Sequence, residues 1–71
     1  MGLAQLGYDN GQKESEVNFK NGKFEGFYFK WHRNGQRFSE SRFVSGELIE
    51  YSEKYWNNKG EPVNSITEAI K

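Results

Sequence analysis

Residues 10–35 read NGQKESEVNFKNGKFEGFYFKWHRNG, a stretch in which the dipeptide Asn-Gly occurs three times. Asn-Gly is typical of two-residue type I′ hairpin turns, because Asn tolerates a positive φ and glycine adopts it without steric cost. Between the dipeptides lie segments of about ten residues that are rich in Phe, Tyr, Trp and Val. This arrangement predicts strands joined by tight turns.

Turn signals of the same kind continue toward the C-terminus, at Ser45-Gly46 and, less regularly, around Gly60. Successive hairpins of this length give an all-β fold, an antiparallel β-meander of tandem hairpin repeats in an elongated twisted sheet. The predicted strands are 3–8, 12–20, 23–32, 36–44 and 47–56.

Alternation along these segments predicts which residues share a face. In the fourth segment Phe43 is expected beside Ser39 and Ser41, and Phe38 beside Glu40, Arg42 and Val44. The third segment differs from its neighbours, because residues 23–31 are apolar on both faces. We therefore expect it to be central in the sheet or to form an interface.

The turns also reveal an internal repeat of 24 residues. A shift of this length aligns Gly11 with Gly35, Phe19 with Phe43, Gly22 with Gly46 and Trp31 with Tyr55. The chain holds about two and a half such units. Since a single repeat unit rarely buries its apolar face and about three are needed for stability, we expect a homo-oligomer or part of a longer repeat array.

The C-terminal residues follow a different pattern. Pro62 argues against a regular strand interior after Gly60, and residues 65–68 match the capping box that begins a helix. We predict a short helix over 66–70, with Ile66 and Ile70 folded back onto the sheet. Residues 1–63 are thus the predicted repeat domain, and residues 64–71 form a C-terminal tail or short helix.

Composition excludes several classes of protein. The 71 residues include ten basic and ten acidic side chains, one histidine and no cysteine. No disulfide framework or thiolate metal site can form, no apolar run reaches the length of a membrane span, and a neutral charge argues against a nucleic-acid coat protein. We expect no cofactor and no metal. The lack of a signal peptide or membrane span in this sequence favours a cytoplasmic location.

Residues 8–26, YDNGQKESEVNFKNGKFEG, resemble the bacterial variant of the MORN repeat (membrane occupation and recognition nexus), and residues 31–37 repeat the start of the pattern. The resemblance covers residues 2–60. It departs from the family at Glu50, which replaces a glycine, and in one residue inserted before Gly60. The resemblance implies an elongated sheet of twisted hairpins and the antitoxin component of a toxin–antitoxin system.

A catalytic site is not expected. His32 is the only imidazole, and we interpret it as a packed or surface strand residue because no orienting partner accompanies it. The carboxylates of Glu14 and Glu16 are interpreted as a solvated strand face. The chain is therefore predicted not to be an enzyme.

The aromatic third segment supplies the candidate partner-binding residues, namely Phe27, Tyr28, Phe29 and Trp31. Aromatic side chains dominate the energetics of protein interfaces, and four neighbours in one strand cannot all point to the same side. The predicted function is a repeat module for protein–protein interaction, with a toxin or a second copy as the partner.

A second candidate surface is a basic patch with aromatic residues interleaved, formed by Lys30, Arg33, Arg37 and Arg42. Such a patch could stack bases or sit at an anionic membrane surface. Net neutrality and the lack of a polybasic run argue against nucleic acid and leave membrane-surface or phospholipid binding as the alternative function.

Overall fold

The computed structural model describes residues 2–70. It contains seven strands within this range and one short helix. The elements are β1 (Gly2–Gly7), β2 (Lys13–Lys20), β3 (Lys23–Trp31), β4 (Arg37–Val44), β5 (Glu47–Leu48), β6 (Lys54–Trp56), β7 (Pro62–Val63) and α1 (Ile66–Ala69).

All seven strands belong to one open antiparallel sheet. The order is β1-β2-β3-β4-β6-β7, and β5 pairs with the end of β4. Strands β1 to β4 each lie beside their sequence neighbours because short hairpin turns connect them, whereas β6 pairs with β4 beyond the short β5. The all-β meander predicted from the turn spacing is therefore confirmed.

The turns at the two ends of the sheet are of different types. At Asn21-Gly22 and Ser45-Gly46 both residues have a positive φ, as a type I′ turn requires. At Asn10-Gly11 only the glycine does. There the Gly11 N–H donates to the Tyr8 carbonyl at 3.1 Å, and the Tyr8 N–H donates to the Gln12 carbonyl at 2.8 Å.

This second pattern is a type I turn followed by a glycine bulge, so the type I′ prediction was wrong for Asn10-Gly11 and also for Asn34-Gly35. The physical reason is the asparagine side chain. Asn10 Oδ1 accepts the Gln12 N–H at 3.0 Å, which holds the asparagine in the turn at negative φ and leaves the positive φ to the glycine.

The fifth predicted strand, 47–56, is interrupted. In the preceding repeat Gly26 has φ +87°, and the register of β2 against β3 shifts beside it while β3 stays continuous. Glu50 occupies the equivalent position and lacks this freedom. Tyr51 adopts φ +64° instead, and the Ser52 N–H donates to the Ile49 carbonyl at 3.2 Å, so the chain turns between β5 and β6.

The inserted residue also changes the repeat alignment. The Tyr8 hydroxyl donates to the Trp31 carbonyl, and the His32 ring contacts the Trp56 carbonyl in the same way. Trp56, rather than the predicted Tyr55, is therefore the structural equivalent of Trp31.

The sheet is a single layer, with overall extents of 35 × 29 × 13 Å. Within residues 2–70 the only buried apolar side chains are Val17 and Ala69. One face of the sheet carries four aromatic rings in edge-on or tilted contact: Phe19, Phe24, Tyr28 and Phe43. We call these residues the Phe24 cluster and this side the cluster face.

The predicted C-terminal helix forms over Ile66–Ala69. Ser65 caps it, since Ser65 Oγ accepts the Glu68 N–H at 3.2 Å. The predicted packing of two isoleucines was wrong for Ile70, which is 66% exposed. Ile66 is 52% exposed and lines a groove on the cluster face, and Ala69 is the fully buried residue of the helix. A small side chain suits this position because the helix approaches β6 and β7 closely.

Candidate interaction surface

Strand alternation separates the four candidate partner-binding residues. Phe27, Phe29 and Trp31 lie on the side opposite the Phe24 cluster, whereas Tyr28 belongs to that cluster. The Phe27 and Phe29 rings are stacked at 5.4 Å with an angle of 9° between their planes, and Phe29 and Trp31 are 6.0 Å apart. We call these three residues the aromatic row and their side the row face.

Cationic side chains lie over the rings of the aromatic row. The Arg37 guanidinium carbon is 4.5 Å from the centre of the Phe29 ring, and that of Arg42 is 5.4 Å from the Phe27 ring. Strand pairing places them there, because Phe27 is opposite Arg42 and Trp31 is opposite Arg37. Each contact has the geometry of a cation–π interaction.

The predicted basic patch is divided between three places. Only Arg37 and Arg42 lie with the aromatic row. The Lys30 ammonium is 5.6 Å from the Tyr28 ring, on the cluster face. Arg33 is in a turn, where it forms an ion pair with Asp9. A continuous patch of four basic residues is therefore not formed, because β alternation and the turn send them in different directions.

A register shift explains why Arg37 reaches the row. The pairing of β3 with β4 changes by one residue between Lys30 and Trp31. A shift by one residue reverses the face that a side chain occupies. Phe38, predicted beside Glu40 and Arg42, accordingly contacts the His32 ring at 4.7 Å. The predicted face of Phe38 was wrong, and Arg37 takes the place on the row face.

Acidic side chains balance most of this positive charge. Lys13 Nζ, which lies over the Trp31 ring, is 3.1 Å from Glu16 Oε1. Arg37 Nη1 is 3.2 Å from Glu40 Oε1. Within residues 2–70 Arg42 has no such ion pair. The row face therefore combines aromatic rings with nearly neutral charge.

Glu16 is held in its ionised form by its neighbours. A hydrogen bond from the Gln5 side chain, followed by one from Lys13, lowers the pKa of Glu16 below its ordinary value of 4.5. The folded state therefore favours the carboxylate more strongly than the unfolded chain does.

Glu16→Gln is expected to reduce the change in the free energy of unfolding between neutral and acidic pH. The pKa of Glu16 is lower in the folded state, so its carboxylate stabilises the fold fully above pH 4.5. This stabilisation is lost as the pH falls through the folded pKa. Urea unfolding of both proteins between about pH 3 and pH 7 measures this difference. Glu14→Gln is the matched control, since Glu14 forms no side-chain hydrogen bond or ion pair within residues 2–70. Equal effects of both substitutions would contradict the expectation.

The cluster face contains a groove that the sequence did not indicate. The groove has a volume of about 280 Å³, and its apolar lining includes Phe38, Phe43, Leu48, Tyr55 and Ile66. At its edge the Tyr55 hydroxyl donates to the Glu53 carboxylate, which raises the pKa of Tyr55. The groove depends on the turn between β5 and β6 and on α1, and strand periodicity could not reveal this arrangement.

Among residues 2–70 the hydrogen-bond partner of the His32 ring is a backbone carbonyl. The His32 Nε2 atom is 2.9 Å from the Trp56 carbonyl. Within residues 2–70 no group of three or more His, Asp or Glu side chains could hold a metal ion. No helix in the same range has the length and apolar character needed to cross a membrane.

The comparisons with known proteins give no match. No family model, no curated protein and no solved structure matches this chain. The resemblance of residues 8–26 to the bacterial MORN variant therefore stays a prediction.

Proposed function

We propose that this chain is a non-enzymatic repeat module for protein–protein interaction. The aromatic row carries the proposal, because three neighbouring rings lie on one face of a sheet that is a single layer thick. Phe27 is 42% exposed, and within residues 2–70 no second layer covers the row face. Aromatic residues and arginine are the side chains most enriched at the energetic centres of protein interfaces.

The charge of the row face supports a protein partner over nucleic acid. Two of its cations, Lys13 and Arg37, are already paired with glutamates. Binding to a phosphate backbone draws most of its affinity from unpaired Lys and Arg. A nearly neutral aromatic surface instead suits the apolar centre of a protein interface.

The finer form of the proposal is the antitoxin component of a toxin–antitoxin system. Its support is the resemblance of residues 8–26 to the MORN variant whose proteins carry that label. The partner would then be a toxin protein that contacts the aromatic row. Expression of the captured partner alone would arrest growth, and coexpression of this chain would restore it.

Phe27→Ala is expected to reduce capture of the partner by about tenfold or more, as truncation of a central aromatic contact does. The measurement is affinity capture from lysate of the source organism, quantified by mass spectrometry, with the wild-type chain and the variant as baits. Ile70→Ala is the control, because Ile70 is an apolar side chain that is 66% exposed at the end of α1, which packs beside β6 and β7 and away from β1 and the aromatic row. Loss of capture with both variants, or with neither, would contradict a role of the row.

Membrane-surface binding is the second candidate function, and Arg42 is the observation that favours it. Arg42 lies over the partly exposed Phe27 ring and has no acidic partner within residues 2–70. A cation beside an aromatic ring suits the headgroup region of an anionic bilayer. Flotation with vesicles containing phosphatidylserine tests this candidate. Recovery of all the protein in the unbound fraction would remove it.

A further inference from the structure

Three turns lie side by side at one end of the sheet. They are turn 1 (8–12), turn 2 (32–36) and turn 3 (57–61), and each contains a glycine with φ between +85° and +88°. In each, the glycine N–H donates to the carbonyl of the first turn residue, at 3.1, 2.9 and 3.0 Å. The repeat thus stacks one turn on the next.

Side-chain hydrogen bonds join each turn to the next. Asn10 Nδ2 donates to the Arg33 carbonyl at 3.0 Å, and Asn34 Nδ2 donates to the Asn58 carbonyl at 2.6 Å. The bonds from Tyr8 and His32 to the tryptophan carbonyls form a second pair of contacts across the same two junctions. The chemistry of the first junction is therefore repeated at the second.

A glutamine packs against the next glycine at both junctions. A Cβ atom added to Gly35 would lie 3.3 Å from Gln12 Oε1, and one added to Gly60 would lie 2.9 Å from Gln36 Oε1. At each junction the preceding turn contributes one asparagine that donates a hydrogen bond and one glutamine that packs against the glycine, namely Asn10 and Gln12 at the first junction and Asn34 and Gln36 at the second. The stack has a direction.

Turn 3 cannot continue the stack. Lys59 and Glu61 occupy the positions of the donor asparagine and the packing glutamine. The Asn57 amide is used within the turn, where it donates to Glu61 at 2.9 Å. Helix α1 packs beside β6 and β7 through the buried Ala69. The C-terminal end of the stack is therefore closed.

Turn 1 has the opposite character. The positions one repeat before Trp31 and Arg33 are Gly7 and Asp9. Within residues 2–70 neither of their carbonyls accepts a side-chain hydrogen bond. A Cβ atom added to Gly11 would meet nothing within 4 Å, so the place filled by glutamine at the other two glycines is open. All six residues of β1 are exposed, and none is charged.

We propose that the edge formed by β1 and turn 1 binds a further β-hairpin whose turn reads Tyr or His, any residue, Asn, Gly, Gln. Strand addition satisfies the backbone groups of an open edge. The side chains of the added turn would donate to the Gly7 and Asp9 carbonyls and occupy the space beside Gly11. The partner turn must bring a donor asparagine and a glutamine. A second copy of this chain cannot bring them at its C-terminal edge, because its turn 3 has Lys59 and Glu61.

The inference deepens the proposed function, on which it rests, by stating the chemistry of one partner segment. It concerns a surface at the edge of the sheet, whereas the aromatic row lies on the face. The experiment below involves no foreign partner, so its failure and the failure of the capture assay are distinguishable.

The test extends the full chain at its N-terminus with a copy of residues 8–25 joined directly to Gly2. This join places the copied asparagine one repeat before Asn10. We expect the Tm to rise by about 5 °C or more, and hydrogen exchange of the β1 amides, followed by NMR, to slow by about tenfold or more. Unchanged exchange of these amides would overturn the proposal.

The matched control carries Asp in place of the copied asparagine. Aspartate keeps the oxygen that accepts the glutamine N–H within the turn, as Asn10 Oδ1 does, but lacks the amide that donates across the junction. We expect it to lose at least half of the gain in Tm. An equal gain would mean that any added strand suffices and would overturn the specificity for this turn. In the chain without the extension, slower hydrogen exchange of the β1 amides at higher protein concentration would show that a second copy binds this edge. That result would also overturn the proposal.

Discussion

Phe24→Ala is expected to lower the free energy of unfolding by about 2–3 kcal/mol, below the range for a fully buried phenylalanine because Phe24 is only partly buried. Its ring contacts three others edge-on, with centres 5.1 Å from Phe19, 5.4 Å from Tyr28 and 5.3 Å from Phe43. A domain of this size rarely has more than about 3–5 kcal/mol available. Urea unfolding followed by tryptophan fluorescence measures the loss, which is expected to remove about half or more of the stability of the domain.

The matched control is Phe27→Ala, the same substitution on the opposite face of β3. Phe27 is 42% exposed and stacks on a single aromatic ring, so we expect a loss of about 1 kcal/mol or less. The contrast between the two variants assigns the stability of the sheet to the Phe24 cluster and leaves the aromatic row available for a partner. Equal losses would contradict this division.

The strands were predictable because their turns are encoded locally. Glycine beside Asn or Ser reports a positive φ directly, and the alternation between the turns follows the pleat. The predicted strand 12–20 differs from β2 (Lys13–Lys20) by one residue. The fifth strand could not be predicted in the same way. It is interrupted because Glu50 stands where the preceding repeat has Gly26, and the next residue, Tyr51, adopts the positive φ instead.

The candidate site was predictable only in part, for a related reason. Alternation alone indicates that Tyr28 and Phe29 point to opposite sides of β3. It could not indicate which basic residues lie with the row, because the register shift beside Lys30 reverses the faces at Arg37 and Phe38. Such shifts arise from pairing between strands and leave no local signal.

Sequence periodicity could not predict the stacking of the turns either. The repeat of 24 residues aligns the turn glycines, but a periodic sequence does not state which side chain bonds to which carbonyl. The Asn10 amide both belongs to turn 1 and donates to turn 2. Its side-chain oxygen shapes its own turn. One residue thus links local conformation to the stacking of repeats, and this double role accounts for the asparagine in both of the first two turns.

Gly35→Ala is expected to lower the free energy of unfolding by about 1–2 kcal/mol. The backbone there has φ +88°, a left-handed conformation that costs a residue with a Cβ atom about this amount. The new methyl group would also lie 3.3 Å from Gln12 Oε1, so the end of the glutamine side chain must shift by a few tenths of an ångström. Urea unfolding followed by circular dichroism at the sheet signal measures the loss.

Gly2→Ala is the control, because the same methyl group is added where the backbone carries no left-handed strain. Gly2 lies in β1, its φ is not positive, and nothing lies within 4 Å of an added Cβ. Alanine there restricts the unfolded chain more than the folded one, so stability should stay unchanged or rise by up to about 0.5 kcal/mol. The two substitutions therefore differ in sign as well as size. A small loss of equal size for both would mean that turn 2 relaxes freely, and the stack of turns would then contribute little to the fold.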